Sequence, residues 1–160
     1  NDSEKLIKEE SLAAIAALNT QEGNDFLIEQ LQDKKVADGT KKKIVEVLLK
    51  EDHAGEKEII EIAKAVVTDD KRKDFRYAIG REMAKNYKSS YDEVTAMYLQ
   101  SKDATTISVG LDMYKQKKPL ELQAYVNTIA NDKKSSANKT RAQKLLGIEE
   151  EADSKNEDAK

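Results

Sequence analysis

The single histidine, His53, is the first residue to weigh as a catalytic group, because imidazole is the side chain that most often moves protons near neutral pH. It stands in the polar stretch KEDHAGEKE, which is typical of an exposed turn, and the sequence indicates no orienting partner for it. One histidine also excludes zinc sites built on two or three. The absence of cysteine excludes thiolate zinc sites, cysteine nucleophiles and disulfides.

Carboxylates are the next candidates, but 31 Asp and Glu residues make close pairs common by chance. Glu58 and Glu61 are three apart in a helical segment, Asp69 and Asp70 share a turn, and Asp112 lies in a helix. No Glu-x-x-His pair, G-x-S-x-G elbow, phosphate-binding glycine loop or calcium loop accompanies them. We therefore expect solvated or capping carboxylates, with no enzyme activity, cofactor or metal.

Basic side chains cluster ahead of three helical segments and could line one ridge if those segments stack. Such a ridge would bind phosphates or acidic protein segments. A net charge of −3 and a pI near 5.4 weigh against nucleic acid, so a solvated edge neutralised by nearby Asp and Glu is the simplest interpretation. The clusters are Lys41, Lys42 and Lys43; Lys71, Arg72, Lys73 and Arg76; and Lys133, Lys134, Lys139 and Arg141.

Tyrosine supplies a second possible binding surface. All six tyrosines lie between Tyr77 and Tyr125, and Tyr91 and Tyr98 share a helix face with Val94. Tyrosine is favoured at interfaces because it buries a large area and keeps a polar tip. The alternative is that these residues fill the core with only their hydroxyl groups in water.

Composition indicates the elements that must hold these side chains. The 160 residues include six Gly, one Pro and no Trp, and Ala, Leu, Ile, Glu, Lys and Gln predominate. These are helix formers, whereas the turn residues and β-branched strands of a sandwich or barrel are missing. No stretch reaches the roughly 20 apolar residues of a membrane span. The sequence predicts an all-α protein with no transmembrane segment.

Apolar residues three and four apart predict nine short helices that alternate in character. The first helix of each pair ends at an apolar residue and an Asp-containing turn, with anchors at Leu31, Val67, Leu99 and Ile129. The second helices align at Ile44, Ile79, Leu111 and Leu145. Both registers repeat every 30 to 36 residues, which indicates an array of two-helix units. The segments are 4–18, 24–32, 40–50, 56–67, 74–87, 91–100, 105–115, 120–130 and 138–148.

Residues of the turns and helix interiors support this scheme. We expect the turn Asp residues to accept hydrogen bonds from free N–H groups at the start of each second helix. Gly23 and Gly55 would precede first helices, and Pro119 would stand near the first turn of the last one. Gly80 and Gly110 lie inside helices, where Gly costs about 1 kcal/mol relative to Ala, so each predicts a close helix crossing.

The paired segments resemble HEAT or HEAT-like repeats over residues 4–148. The similarity is carried by LIEQLQDKK and VNTIANDKK at the turns, and by DFRYAIGREMA and KTRAQKLLGI in the second helices. Asp33, Asp69 and Asp132 match the Asp that HEAT repeats commonly have in the turn. Lys42, Arg76 and Arg141 match the basic residue early in the second helix. The turn SKDATTIS departs from the pattern, because Thr106 or Ile107 stands in the basic position. A tetratricopeptide array is the competitor at this period, but its aromatic, Gly and Pro pattern does not recur.

The resemblance implies a right-handed α-solenoid of about four antiparallel helix pairs with a leading half repeat, over residues 1–148. Residues 149–160 form an acidic segment that we expect to be disordered. The initial Asn1 fits a processed extracytoplasmic protein or lipoprotein, and equally a fragment of a longer solenoid, so the compartment stays open.

Helical repeats host many functions, of which binding is the most common expectation. We expect a non-enzymatic module that binds a protein or peptide on a concave face lined by the second helices. A nucleic-acid or phosphate-binding domain using the basic turns is the alternative, and an enzyme of the HEAT-like class would need carboxylates facing the groove. The predicted contact residues are Arg76, Tyr77, Arg81, Tyr114, Lys115 and Arg141.

Overall fold

The computed structural model describes residues 2–50 and 55–148, with side chains from residue 10 onward. This part of the chain is all-helical, with nine α-helices and no strand. Single 3₁₀ turns precede the fifth, sixth and eighth helices. The helices are α1 (Asp2–Leu18), α2 (Gln21–Gln32), α3 (Asp38–Lys50), α4 (Glu56–Val66), α5 (Lys73–Lys85), α6 (Asp92–Leu99), α7 (Ala104–Lys117), α8 (Gln123–Ala130) and α9 (Ala137–Leu146).

Each predicted helical segment overlaps one of these helices, because the polar caps stand where the apolar period stops. The Thr20 hydroxyl accepts from the Gly23 N–H at 3.1 Å and starts α2, so Gly23 lies inside that helix rather than before it. Gly55 does precede α4, as its N-cap with φ +103°. Ser136 caps α9 by accepting from the Lys139 N–H at 3.1 Å. None of the described helices is long and apolar enough to cross a membrane.

Most of the turn Asp residues accept hydrogen bonds within the turn itself, whereas the sequence predicts that they accept them from the start of the following helix. Asp33, Asp69 and Asp132 each accept from the N–H two residues later, at 2.8, 3.0 and 3.0 Å. These are tight Asx-type turns that form before the helix begins. Asp103 is different, because it caps α7 directly and accepts from the Thr106 N–H at 2.8 Å.

The helices pack in two rows. Helices α1, α3, α5, α7 and α9 each pack against the next in that order, and α2, α4, α6 and α8 form a second such row. Consecutive helices α2 and α3, α4 and α5, α6 and α7, and α8 and α9 pair across the rows. Two apolar clusters fill the space between the rows, one from α1 to α7 and the other from α6 to α9.

The same buried positions recur along the odd-numbered row, with a single offset for each step from one helix to the next. Lys41, Ile44, Val45, Leu48 and Leu49 of α3 are all buried, and so are the residues 35 positions further on in α5. The same five positions are buried again 30 positions later in α7.

This register corrects one anchor of the predicted alignment. Val109, not Leu111, is the α7 residue that corresponds to Ile79. The reason is that Val109 belongs to the apolar cluster around Ile79, whereas Leu111 packs in the other cluster with Val126 and Ala142.

Gly80 and Gly110 sit where α5, α6 and α7 come closest, which confirms the predicted close crossings. A Cβ at Gly80 would lie 2.5 Å from Tyr98 Cε1 and 2.6 Å from Val109 Cγ1. A Cβ at Gly110 would lie 2.9 Å from the backbone nitrogen of Leu99. Flexible side chains can move aside, but the backbone of a packed helix cannot do so cheaply.

Replacing Gly110 with Ala should therefore lower the free energy of unfolding by about 1–3 kcal/mol, as overpacking does in other cores. Urea denaturation of the full chain measures the change. Gly39→Ala is the matched control in α3, because no atom lies within 4 Å of its added Cβ and Ala is the better helix former. Equal stability of the two variants would contradict the close crossing.

Candidate functional site

Arg76 is the first predicted contact residue, and the structure buries it. Its side chain is 1% exposed at the start of α5. Nη1 donates to the carbonyl of Val67 at 2.9 Å, and Nη2 lies 3.7 Å from Asp70 Oδ1 and 3.8 Å from Asp103 Oδ1. The guanidinium also lies over the Tyr77 ring, 5.5 Å from its centroid. Arg76 thus ties the turn after α4 to the turn before α7, and its guanidinium is engaged within the chain rather than free at the surface.

Asp103, in the turn before α7, accepts three hydrogen bonds. Its Oδ1 accepts from the N–H and hydroxyl of Thr106, both at 2.8 Å, and from the Tyr77 hydroxyl at 2.9 Å. Burial alone would raise the pKa of Asp103, but these hydrogen bonds and the nearby charge of Arg76 outweigh it and hold the pKa below its usual value. Asp103 therefore stays ionised and is a poor proton acceptor.

The other predicted contact residues do not form one open face. Tyr114 is 3% exposed, and its pKa is raised by burial, so it belongs to the core. Arg141 is half-buried and donates to the Ser108 carbonyl at 3.2 Å and to Asp112, which also means that Asp112 is paired rather than free in solvent. Arg81 and Lys115 are exposed.

The tyrosine surface is likewise an internal feature. Tyr91, Tyr98 and Tyr114 are buried. The Tyr98 hydroxyl donates to the carbonyl of Arg76 at 2.8 Å, and Tyr87 packs edge-on against Tyr91 with ring centroids 6.1 Å apart. These residues fill the core between repeats, as the alternative interpretation predicts, but the hydroxyl groups of Tyr91 and Tyr98 are buried as well and do not reach water.

Two of the three basic turns, by contrast, line neighbouring pockets, whereas the third, after α8, lines none of them. Three adjoining pockets of about 450, 480 and 490 Å³ follow the turns after α2, α4 and α6. The first two share Asp38 and Arg72, and the last two share Asp70. We call these three pockets together the turn groove. Its charged lining residues are Lys34, Lys41, Lys42, Lys71, Arg72, Lys73, Arg76 and Lys102, with Asp38, Asp70, Asp74 and Asp103.

Eight cations and four carboxylates line the turn groove, a net charge of +4 for the lining residues, although the whole chain carries −3. Asp33 and Asp69 also lie close enough to act on Lys41 and Arg72. Apolar side chains lie among the charges: Leu31, Val36 and Ile62 in the first pocket, and Val67 and Met97 in the last. The groove therefore offers both positive potential and apolar contact area.

Arg72 and Asp38 form the wall between the first two pockets. Arg72 Nη2 lies 2.6 Å from Asp38 Oδ1, and Nε lies 3.2 Å from both carboxylate oxygens. The guanidinium stacks on Phe75, 4.8 Å from the ring centroid. This paired, stacked arginine joins residues 34 positions apart in the chain and fixes the shape of the groove.

Lys41 is the unpaired buried cation of the groove. It is 6% exposed, lines the pocket next to Leu31 and Ile62, and makes no hydrogen bond or ion pair with any residue described by the structure. Burial lowers the pKa of Lys41, and the charge of Arg72 lowers it further, against smaller opposing effects of Asp38 and Asp33. The sequence showed the basic turn but could not show that one of its lysines points inward.

Other candidate chemistry is limited. In the described ranges no group of His, Cys, Asp and Glu side chains is arranged to hold a metal ion. His53 and residues 149–160 lie outside those ranges. Comparisons with protein-family models, with curated proteins and with solved structures gave no match to this chain.

Asp103→Asn should lower the free energy of unfolding at pH 7 by about 1–3 kcal/mol, because a carboxylate acceptor beside a buried cation is lost. The pKa of Asp103 is lowered by folding, so its contribution is present above the unfolded pKa and is lost as pH falls through the folded pKa. The gap between variant and parent should close as the solution is acidified, which urea denaturation at pH 7, 5 and 3 measures.

Asp132→Asn is the control, since Asp132 is exposed and caps only the Lys134 N–H. It should leave the pH dependence of unfolding close to that of the parent. If Asp103→Asn instead kept the full pH dependence of the parent, Asp103 would not be the ionised acceptor that the geometry indicates.

Proposed function

We propose that the chain is a HEAT-like, right-handed α-solenoid that works as a non-enzymatic binding module and holds a segment of a partner protein in the turn groove. The two rows of helices and the constant offsets between buried positions support a repeat array. Hydrogen bonds between neighbouring units support it as well, because they join residues at separations close to one repeat. Examples are Arg72 to Asp38, Lys88 to Glu56, Asn138 to Ala104 and Arg141 to Ser108, at separations of 34, 32, 34 and 33 residues.

The turn groove is the observation that carries the function. A structural edge would pair its cations with neighbouring carboxylates, yet the residues that line this groove carry a net charge of +4, and Lys41 makes no hydrogen bond or ion pair with any residue that the structure describes. Each of its pockets falls in the size range of ligand sites. Placing the contact surface here replaces the concave face that the sequence predicts.

A protein segment fits the groove better than a nucleic acid does. Arg72 and Arg76 are already engaged, and four carboxylates interrupt the row of cations, which would repel a continuous line of phosphates. Single-stranded nucleic acids also need aromatic platforms for their bases. Phe75 is the only aromatic side chain among the pocket-lining residues, and the guanidinium of Arg72 covers its ring.

A binding role is also favoured over catalysis by the state of the groove carboxylates. Asp38 is held by Arg72, and Asp103 by Thr106 and Tyr77. A general base needs a pKa near the working pH, whereas the pKa of Asp103 is lowered. These carboxylates act as structural acceptors.

Selection from a displayed library of random peptides against the immobilised full chain tests the proposal. Ala65 is an exposed residue of α4 that lines the groove, so Ala65→Arg should obstruct it and weaken the selected peptides at least tenfold. Ala14→Arg is the matched control, an exposed alanine of α1 outside the three pockets, and should leave affinity within about twofold. Circular dichroism checks that both variants remain helical.

Failure to enrich any peptide would contradict the proposed function. Enriched peptides that bind Ala65→Arg as well as the parent would place the binding surface elsewhere.

A further inference from the structure

Two buried cations line the turn groove, and they differ in what they contact. Arg76 donates to the carbonyl of Val67 and lies beside Asp70 and Asp103. Lys41 is 94% buried, since 6% of its surface is exposed, and it has no hydrogen bond or ion pair among the residues that the structure describes. Its Nζ is not among the atoms sealed from solvent, so the ammonium can be reached from the pocket that Lys41 lines.

The repeat register makes this difference informative. Lys41 occupies the position of Arg76 one repeat earlier, 35 residues before it. In the last repeat, Lys139 has a comparable place and donates to the carbonyl of Asp132, seven residues earlier, at 2.8 Å. Arg76 and Lys139 therefore find acceptors in their own turns, whereas Lys41 makes no such bond. The position usually stabilises a turn, and in the first complete repeat it does not.

An ammonium that is reachable only through a pocket, on a side chain that is mostly buried, has fewer waters around it than in solution, which costs free energy. Desolvation is the main reason that the pKa of Lys41 is lowered, and the neighbouring charge of Arg72 adds to it. Methionine would fill the same space without that cost. A residue that weakens the fold in this way is typical of a site whose partner arrives from outside.

We propose that the pocket around Lys41 is a carboxylate subsite, which takes an acidic side chain of the bound segment with its carboxylate on Lys41 Nζ and its methylene groups against Leu31, Val36 and Ile62. The inference rests on the proposed function and names the chemistry of its ligand. The segment is an acidic peptide that also carries apolar side chains.

Charge and shape both select this ligand. The pocket holds three cations, Lys34, Lys41 and Arg72, against the single carboxylate of Asp38, which Arg72 already binds. One reachable ammonium in an otherwise apolar wall matches one carboxylate on a short carbon chain. A nucleic-acid backbone would instead bring several phosphates past Asp38, Asp70 and Asp74.

Fluorescence anisotropy with two labelled ten-residue peptides tests the subsite on the full chain. One peptide contains Glu and Leu separated by Gly and Ser, and the other has every Glu replaced by Gln. We expect the Glu peptide to bind at least tenfold more tightly at 0.15 M salt. Lys41→Met should remove that difference while raising Tm by roughly 2–4 °C, the shift expected for about 1 kcal/mol in a chain of this size.

Lys43→Met is the matched control on the same helix. Lys43 pairs with Glu46 at 3.1 Å and is 30% exposed, so its removal should keep the preference for Glu and should not raise Tm. A 20-base-pair duplex serves as competitor, and we expect it to displace the Glu peptide more weakly than unlabelled Glu peptide does.

Three results would overturn the subsite. The first is equal binding of the Glu and Gln peptides, including no binding of either up to 1 mM. The second is a fall in Tm for Lys41→Met, which would make Lys41 structural. The third is stronger displacement by the duplex than by unlabelled Glu peptide, which would make the ligand a phosphate polyanion. None of them decides the proposed function, because the library selection with Ala65→Arg is independent of peptide charge.

Discussion

The buried guanidinium of Arg76 is the contact on which the middle of the structure depends. It joins the Val67 carbonyl at the end of α4 to the Asp103 carboxylate that caps α7. The backbone carbonyl of Arg76 also accepts a hydrogen bond from the Tyr98 hydroxyl. A charge buried this deeply needs acceptors or opposite charges close by. Nη1 has the Val67 carbonyl and Nη2 lies near two carboxylates, whereas Nε has no hydrogen-bond partner in the described part of the chain. Once Arg76 is placed, the turns after α4 and α6 are held side by side, and the edge of the groove follows from them.

The repeat brings successive helices and turns into similar positions along the chain. Helices α3, α5 and α7 present the same buried positions to their neighbours, and Gly80 and Gly110 allow α5, α6 and α7 to come together without a side chain between them. Because the turns within the first three helix pairs fall at the same edge, side chains 30 to 35 residues apart in sequence become neighbours in space. A groove with a net positive charge can thus form on a chain whose net charge is negative.

The helices and their order could be predicted from sequence because they depend on local periodicity and on caps such as Asp103. The contact residues could not, because helical spacing shows which side chains share a face without showing which face is covered. Tyr114 has the same pattern whether its neighbours leave it open or bury it, and here they bury it. The same limit applies to Lys41 and Lys42, which are adjacent in a basic run, although the first is buried and the second is half-buried. The basic run itself was visible in the sequence, which suggested phosphates or acidic protein segments as ligands but favoured a solvated edge as the simplest interpretation.

The most direct test of the account is to map peptide binding onto the chain by NMR, using ¹H–¹⁵N spectra of the full chain with and without a peptide from the library selection. The account predicts that shift changes concentrate in three stretches that line the turn groove, residues 31–42, 62–76 and 97–103. Changes concentrated instead around Arg81 and Lys115, with the groove unaffected, would contradict it.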